Sequence, residues 1–173
     1  MESTHQIEEW FIQYERDVTN YLVYYTGMAD VEDLVQDTFL RAFQAFERYR
    51  NEASPKTWLI SIARNTAIDS FRKKSVWQKV KKLLDKEASI DTAVHAEEIL
   101  LKKQDFAILY EAISRLKPNY RDVVILKGIS ELSSRETGQV LGWNENKVNV
   151  TFYRAVKKLN EQLREGETFE QYV

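Results

Sequence analysis

The feature that most constrains this chain is residues 132–154, Leu132-Ser-Ser-Arg-Glu-Thr-Gly-Gln-Val-Leu-Gly-Trp-Asn-Glu-Asn-Lys-Val-Asn-Val-Thr-Phe-Tyr-Arg154, which spell two short helices joined by a glycine turn. Ser133 can cap the first helix while Glu136, three residues on, reaches back to the capping amide, so that two orphaned donors are satisfied reciprocally. Gly142 can take the left-handed conformation that closes the helix. Asn144 is then a good cap for a second helix with apolar positions Val148, Phe152, Ala155 and Leu159. Gly138 costs about 1 kcal/mol of helix propensity and is expected where the first helix approaches the second closely. This is the pattern of a helix-turn-helix. Asn149, Tyr153, Arg154 and Lys157 on the polar face of the second helix are donors suited to phosphates and base edges in a major groove. On this segment alone an ordinary helical hairpin in a bundle remains the alternative.

The rest of the chain predicts an all-α fold. Its 173 residues include five glycines and two prolines, and apolar residues recur at spacings of three and four. No apolar run approaches the roughly 20 residues needed to cross a bilayer. The start, Met1-Glu-Ser-Thr-His-Gln-Ile, has neither the basic residues nor the apolar core of a signal peptide, which predicts a cytoplasmic protein. With no cysteine, and with His5 and His95 in unrelated segments, neither a metal nor another cofactor is expected.

A first apolar stripe runs through Ile7, Trp10, Phe11, Tyr14, Val18, Tyr21 and Leu22 and breaks around Gly27. A second uses Val31, Leu34, Val35, Thr38, Phe39, Ala42, Phe43 and Phe46, with Glu32, Asp33, Gln36, Asp37, Arg41 and Gln44 opposite. Residues 47–54 lack a repeat and predict a loop. Ser54 can then cap a third helix with Pro55 in its first turn and a stripe of Trp58, Leu59, Ile62, Ala63, Ala67, Ile68 and Phe71, expected to end at Arg72-Lys-Lys-Ser75. Charge dominates residues 76–98, as in a linker. Regular spacing resumes at Ile99, Leu100, Phe106, Leu109, Ala112, Ile113 and Leu116, and Lys117-Pro118 leads into a short helix carrying Tyr120, Val123, Val124 and Leu126. Two small helical domains, 5–75 and 99–165, joined by the linker 76–98, are therefore expected, the second containing the helix-turn-helix. The tail from Gly166 is expected to fray.

The formal net charge is -2, unusual for a free-standing nucleic-acid binder, but its distribution is polarised. Acidic residues cluster at Asp30, Glu32, Asp33 and Asp37, whereas Arg64, Arg72, Lys73, Lys74, Lys79, Lys81, Lys82 and Lys86 face only Asp69 and Asp85 over their segment. No phosphate loop, metal cluster or activated nucleophile emerges. The carboxylate pairs Asp33/Asp37 and Glu97/Glu98 read as solvated helix faces. The third helix offers more: Trp58, Arg64, Asn65, Asp69, Arg72 and Lys73 lie beside an irregular loop ending in Tyr49-Arg50-Asn51. An aromatic wall with amide and guanidinium groups suits a base that has left the stack. Trp58 and Tyr49 read equally as core residues, whereas Asn65 and Arg72 are too polar to bury unpaired.

The stretches Val31-Glu-Asp-Leu-Val-Gln-Asp-Thr-Phe-Leu-Arg-Ala-Phe43 and Lys56-Thr-Trp-Leu-Ile-Ser-Ile-Ala-Arg-Asn-Thr-Ala-Ile-Asp-Ser-Phe-Arg-Lys73 resemble the second conserved region of bacterial extracytoplasmic-function sigma factors, and the helix-turn-helix resembles their fourth. The resemblance covers most of the chain outside the linker. It implies that the chain directs core RNA polymerase to promoter DNA and starts transcription without catalysing a reaction or using a small-molecule substrate. Asp33, Gln36, Asp37 and Arg41 would contact the clamp helices of the polymerase. Tyr49, Asn51, Arg64, Asn65, Asp69, Arg72 and Lys73 would recognise and melt the minus-ten element. Asn149, Val150, Tyr153 and Arg154 would face the minus-thirty-five element, with Lys157 and Lys158 at the backbone. It further implies a membrane-bound anti-sigma factor, which would hold the protein at the membrane face.

Two departures stand out. Many relatives are basic at the positions of Asn149 and Thr151, and the isoleucine typical of their Glu-Ile-Ala motif is Thr137 here. The acidic total has a mechanism in this frame, because two domains held on one polymerase each need only weak affinity for DNA. A conventional helix-turn-helix regulator that dimerises through its N-terminal helices is the alternative; it would bind palindromic sites without polymerase.

Overall fold

The computed structural model describes residues 2–84 and 104–170, with side chains described over 5–80 and 107–164. Among these residues there are helices and turns and no strand. Three helices build the N-terminal half: α1 (Glu2–Thr26), α2 (Glu32–Ala45) and α3 (Pro55–Leu84), with a short 3-10 turn at Phe46–Arg48. The C-terminal half holds α4 (Gln104–Ser114), α5 (Pro118–Val123) continuing into a π-helical stretch at Val124–Ile129, α6 (Ser134–Leu141) and α7 (Glu145–Glu170).

Val18, Tyr21 and Leu22 of α1, Val35, Phe39 and Ala42 of α2, and Leu59, Ile60, Ala63 and Ala67 of α3 are buried together. At one end Trp10 packs on Phe46, Tyr49 and Trp58, with ring centroids 5.4, 5.2 and 6.0 Å away. Tilted and edge-on contacts of this kind add to the area buried. The break after α1 is made by Gly27 at φ 73, whose position would put a Cβ against the Tyr110 hydroxyl of α4. Ser54 caps α3 as predicted, its Oγ accepting from the Thr57 amide at 3.2 Å.

Several boundaries differ from the sequence expectation. α1 begins at Glu2, ahead of the first stripe residue Ile7. α3 runs on to Leu84 instead of stopping at Ser75, because residues 76–84 contain no glycine or proline to end it. α7 continues to Glu170, through Gly166. Phe43 and Phe71, counted as core from their spacing, are 45% and 41% exposed at the margins of their stripes. Residues 85–98, Ile99 and Leu100 lie outside the described residues, as does the side chain of Phe106.

Core apolar residues of both halves form one continuous cluster, in which Ile113, Leu116, Val123, Ile125, Leu126 and Leu132 join those of the first three helices. The π-helical stretch touches α1, and α6 lies against α3.

Candidate polymerase and promoter interfaces

The helix-turn-helix forms from the interactions its sequence predicts. Ser133 Oγ accepts from the Glu136 amide at 3.1 Å, and Glu136 Oε2 accepts from the Ser133 amide at 2.9 Å. Gly142 closes α6 at φ 69, and Asn144 Oδ1 caps α7 by accepting from the Lys147 amide at 2.8 Å. A Cβ on Gly138 would stand 2.4 Å from the Trp143 carbonyl oxygen, so the close approach is to the turn first and to Val148 of α7 only second. Val148, Ala155 and Leu159 are buried against the rest of the half. Asn149, Val150, Tyr153, Arg154, Lys157 and Lys158 are all exposed on α7, Tyr153 at 73%. Asn149 Oδ1 accepts from Ser134 Oγ at 2.5 Å, which ties it to α6, and Lys158 pairs with Glu161 at 3.2 Å.

On α2, Asp33, Gln36 and Asp37 are exposed, and Gln36 donates to Glu32 one turn earlier at 3.2 Å. Arg41 crosses to α3, where its Nη1 lies 2.8 Å from Asp69 Oδ2. This hydrogen bond holds the Asp69 carboxyl below its ordinary range, with Arg72 and Lys73 adding to the effect. A groove between the helices is lined by Asp33, Asp37, Ser70, Lys73 and Lys74.

The loop before α3 turns at Asn51, which has φ 56, a left-handed conformation that asparagine tolerates better than most residues. Tyr49 packs between Trp10 and Trp58, and its hydroxyl donates to the Ala53 carbonyl at 2.6 Å, so it shapes the loop from within. Asn51 and Asn65 are exposed, as are Arg72 and Lys73. Arg64 lies elsewhere: it reaches into the C-terminal half, with Nη2 3.0 Å from Asp122 Oδ2 of α5. Burial pulls its guanidinium pKa down, but the charge and hydrogen bond of Asp122, with Tyr21 and Tyr25, together leave it raised.

Sequence reasoning missed the partners that join the halves. Glu136 Oε1 accepts from Ser54 Oγ and from Thr57 Oγ1, each at 3.0 Å, and Gln139 Nε2 donates to the Glu52 carbonyl at 2.9 Å. The Glu136 carboxyl is held below its ordinary range first by the Ser133 amide, with further contributions from the Ser133, Thr57 and Ser54 hydroxyls. The i, i+3 spacing of Ser133 and Glu136 reveals the cap, but nothing in it signals a second use across the molecule.

Residues 10–76 match the family model for Sigma-70 region 2, and residues 106–159 match that for Sigma-70 region 4. The two matched regions thus define a sigma factor. The RNA polymerase sigma factor YlaC of Bacillus subtilis is 30% identical, over 94% of this chain and 95% of that protein. SigX of the same organism, an extracytoplasmic-function sigma factor, is also 30% identical, over 94% of this chain and 85% of that protein. The chain belongs to the sigma-70 family, in its extracytoplasmic-function group, and serves promoter-specific transcription initiation with RNA polymerase. The fold is shared with RpoE of Bartonella quintana, solved in complex with the anti-sigma factor NepR, at TM-score 0.72 and 22% identity over 92% of this chain and 97% of that one.

Proposed function

We propose that the exposed face of α2 carries the polymerase contact, the loop at 49–51 with α3 the minus-ten contact, and α7 the minus-thirty-five contact. The observation that carries this division is the exposure of three separate polar surfaces in the family's order: Asp33, Gln36 and Asp37 on α2; Asn51, Asn65, Arg72 and Lys73 around α3; and Asn149, Val150, Tyr153 and Arg154 on α7. Arg41 and Asp69 act at the join of the first two surfaces, Tyr49 supports the loop, and Arg64 becomes available to DNA once Asp122 releases it. Lys157 and Lys158 serve the DNA backbone.

Holding both reading surfaces on one polymerase lets each bind DNA weakly and still act together, which suits a chain of net charge -2. The protein works in the cytoplasm, performs no chemical reaction itself, and is restrained by an anti-sigma factor anchored at the membrane. The match over residues 10–76 supports this reading over a dimeric helix-turn-helix regulator, whose N-terminal part would have no need of a polymerase-binding region. Transcription in vitro with purified core polymerase and genome-wide mapping of start sites tests it. Promoter-specific starts that require both components are expected; tight binding to palindromic DNA without polymerase would favour the regulator.

A further inference from the structure

We infer that the C-terminal end of α3, centred on Val76, Trp77 and Val80, lies as an amphipathic helix on an anionic lipid surface.

Every residue from Phe71 to Val80 is exposed, whereas the preceding turns of the same helix bury Leu59, Ile60, Ala63 and Ala67 in the core. A stretch exposed on every side gains little from packing, and it is expected to be polar all round. This one is not. Val76 is 55% exposed, Trp77 71% and Val80 37%. At about 100° per residue the three share one arc of the helix, roughly 100° wide. Lys79 borders that arc on the Val76 side and Lys74 on the Trp77 side, while Ser75 and Gln78 stand opposite. The sequence carries both patterns onward, with Leu83 and Leu84 seven positions after Val76 and Trp77, and with Lys81 and Lys82. From Lys73 to Lys86 six lysines stand against a single acid, Asp85.

This combination selects the partner. The phosphates of DNA would satisfy the lysines but leave Val76 and Val80 in water. An anionic bilayer satisfies both: the apolar arc enters the acyl boundary, the indole sits at headgroup level, and the lysine stems run beside the arc to put their ammonium groups among the headgroups. The helix lies on the surface and does not cross it, since none of the described helices is long and apolar enough to span a membrane. So short an apolar arc binds weakly by itself, and affinity therefore needs the charge as well as the burial. Binding should accordingly be reversible, selective for anionic lipid and weakened by salt.

The test uses the full chain and vesicles of phosphatidylglycerol mixed with phosphatidylcholine, set against phosphatidylcholine alone. At low salt the protein should sediment with the mixed vesicles and not with the neutral ones. Tryptophan emission should move to shorter wavelength on binding, and Trp77→Phe should lose most of that movement, because the other three tryptophans pack in or against the core. The double substitution Trp77→Ala, Val80→Ala should raise the Kd for mixed vesicles at least about tenfold, and Lys79→Gln about fivefold. Alanine favours helix, so circular dichroism of the double variant should be unchanged, and its transcription with core polymerase in the absence of vesicles should stay within about twofold of wild type. Failure to sediment with mixed vesicles, equal binding to neutral ones, or binding indifferent to the double substitution would overturn the lipid contact. A double variant that keeps its vesicle binding but loses affinity for a single-stranded oligonucleotide, or loses transcription, would overturn it too and assign the face to nucleic acid or polymerase.

Discussion

Arg41 of α2 and Asp69 of α3 hold each other at 2.8 Å, so a residue assigned to the polymerase surface and one assigned to the minus-ten surface form a single bridge between the two helices. The pair is partly exposed, and its value is less in stability than in fixing the angle at which the two surfaces meet.

Docking is expected to depend on the exposed acids beyond that bridge. The double substitution Asp33→Lys, Asp37→Lys should abolish assembly with core polymerase, read by competition against the housekeeping sigma factor. Circular dichroism should stay nearly unchanged, since surface substitutions usually shift stability by about 0.5 kcal/mol or less. Retained affinity for core would remove α2 from the interface.

At the loop, Asn51 combines a left-handed backbone with an exposed amide. Asn51→Gly keeps the backbone and removes the side chain, whereas Asn51→Ala also strains the turn. If the amide reads a base, both variants and Asn65→Ala should slow open-complex formation, by about 1–3 kcal/mol where a base-edge hydrogen bond is lost, with closed complexes intact. Permanganate footprints identical to wild type in Asn51→Gly and Asn65→Ala would move the base contact elsewhere.

In α7, Arg154→Ala should weaken binding of holoenzyme to the minus-thirty-five element. A shallower salt dependence would indicate a phosphate contact, and an altered sequence preference a guanine contact. Asn149→Lys should steepen the salt dependence by roughly one phosphate's worth, after giving up the bond from Ser134. If neither change alters affinity, slope or preference across a salt series, α7 does not enter the groove.

The depressed carboxyl of Glu136 predicts an acid limit to stability. A group whose pKa falls on folding contributes stability above its ordinary value, here 4.5, and that contribution is lost as pH drops through the folded value. Melting temperatures measured between pH 7 and pH 3 should therefore fall on the acid side. Glu136→Gln should flatten that fall, because the amide cannot titrate; an unchanged slope would assign the acid limit to other carboxylates.

Thr137 is buried with its hydroxyl unpaired. The isosteric change Thr137→Val removes the orphaned group, and should stabilise the protein by about 1 kcal/mol. Calorimetry should record a rise in Tm of about 2–4 °C. A lowered Tm would mean that the hydroxyl has a partner in solution.

Local chemistry was the part of this molecule most legible in the sequence. The Ser133–Glu136 box, the Gly142 turn, the Asn144 cap and the Ser54 cap all follow from the residue's own neighbours in the chain, and the structure contains each of them. Arg64 was legible as polar and functional, but its partner Asp122 lies 58 positions away, and no periodicity connects them. The same holds for Gln139 and Glu52. Helix ends were the least legible, because α3 extends past Ser75 through residues with no stop signal, and its exposed Trp77 belongs to no stripe that a core would predict. Tyr49 carried two readings in the sequence, and the packing of its ring favours the structural one.

The π-helical stretch has a consequence for handling the protein as well as for its action. Where α5 runs into this stretch, four successive residues, Val123, Val124, Ile125 and Leu126, are buried, which one face of a helix could not achieve, so neighbours must enclose the segment from several sides. One of those neighbours is α1 of the other half. Parting the halves would therefore wet greasy surface along with the polar attachments, and an opened molecule without polymerase to cover it would tend to clump. Turbidity and dye-binding assays on a Glu136→Ala, Gln139→Ala variant, which lacks side-chain bonds between the halves, should then rise with concentration and subside when core polymerase is added, giving the enzyme a chaperone's role toward its own specificity subunit.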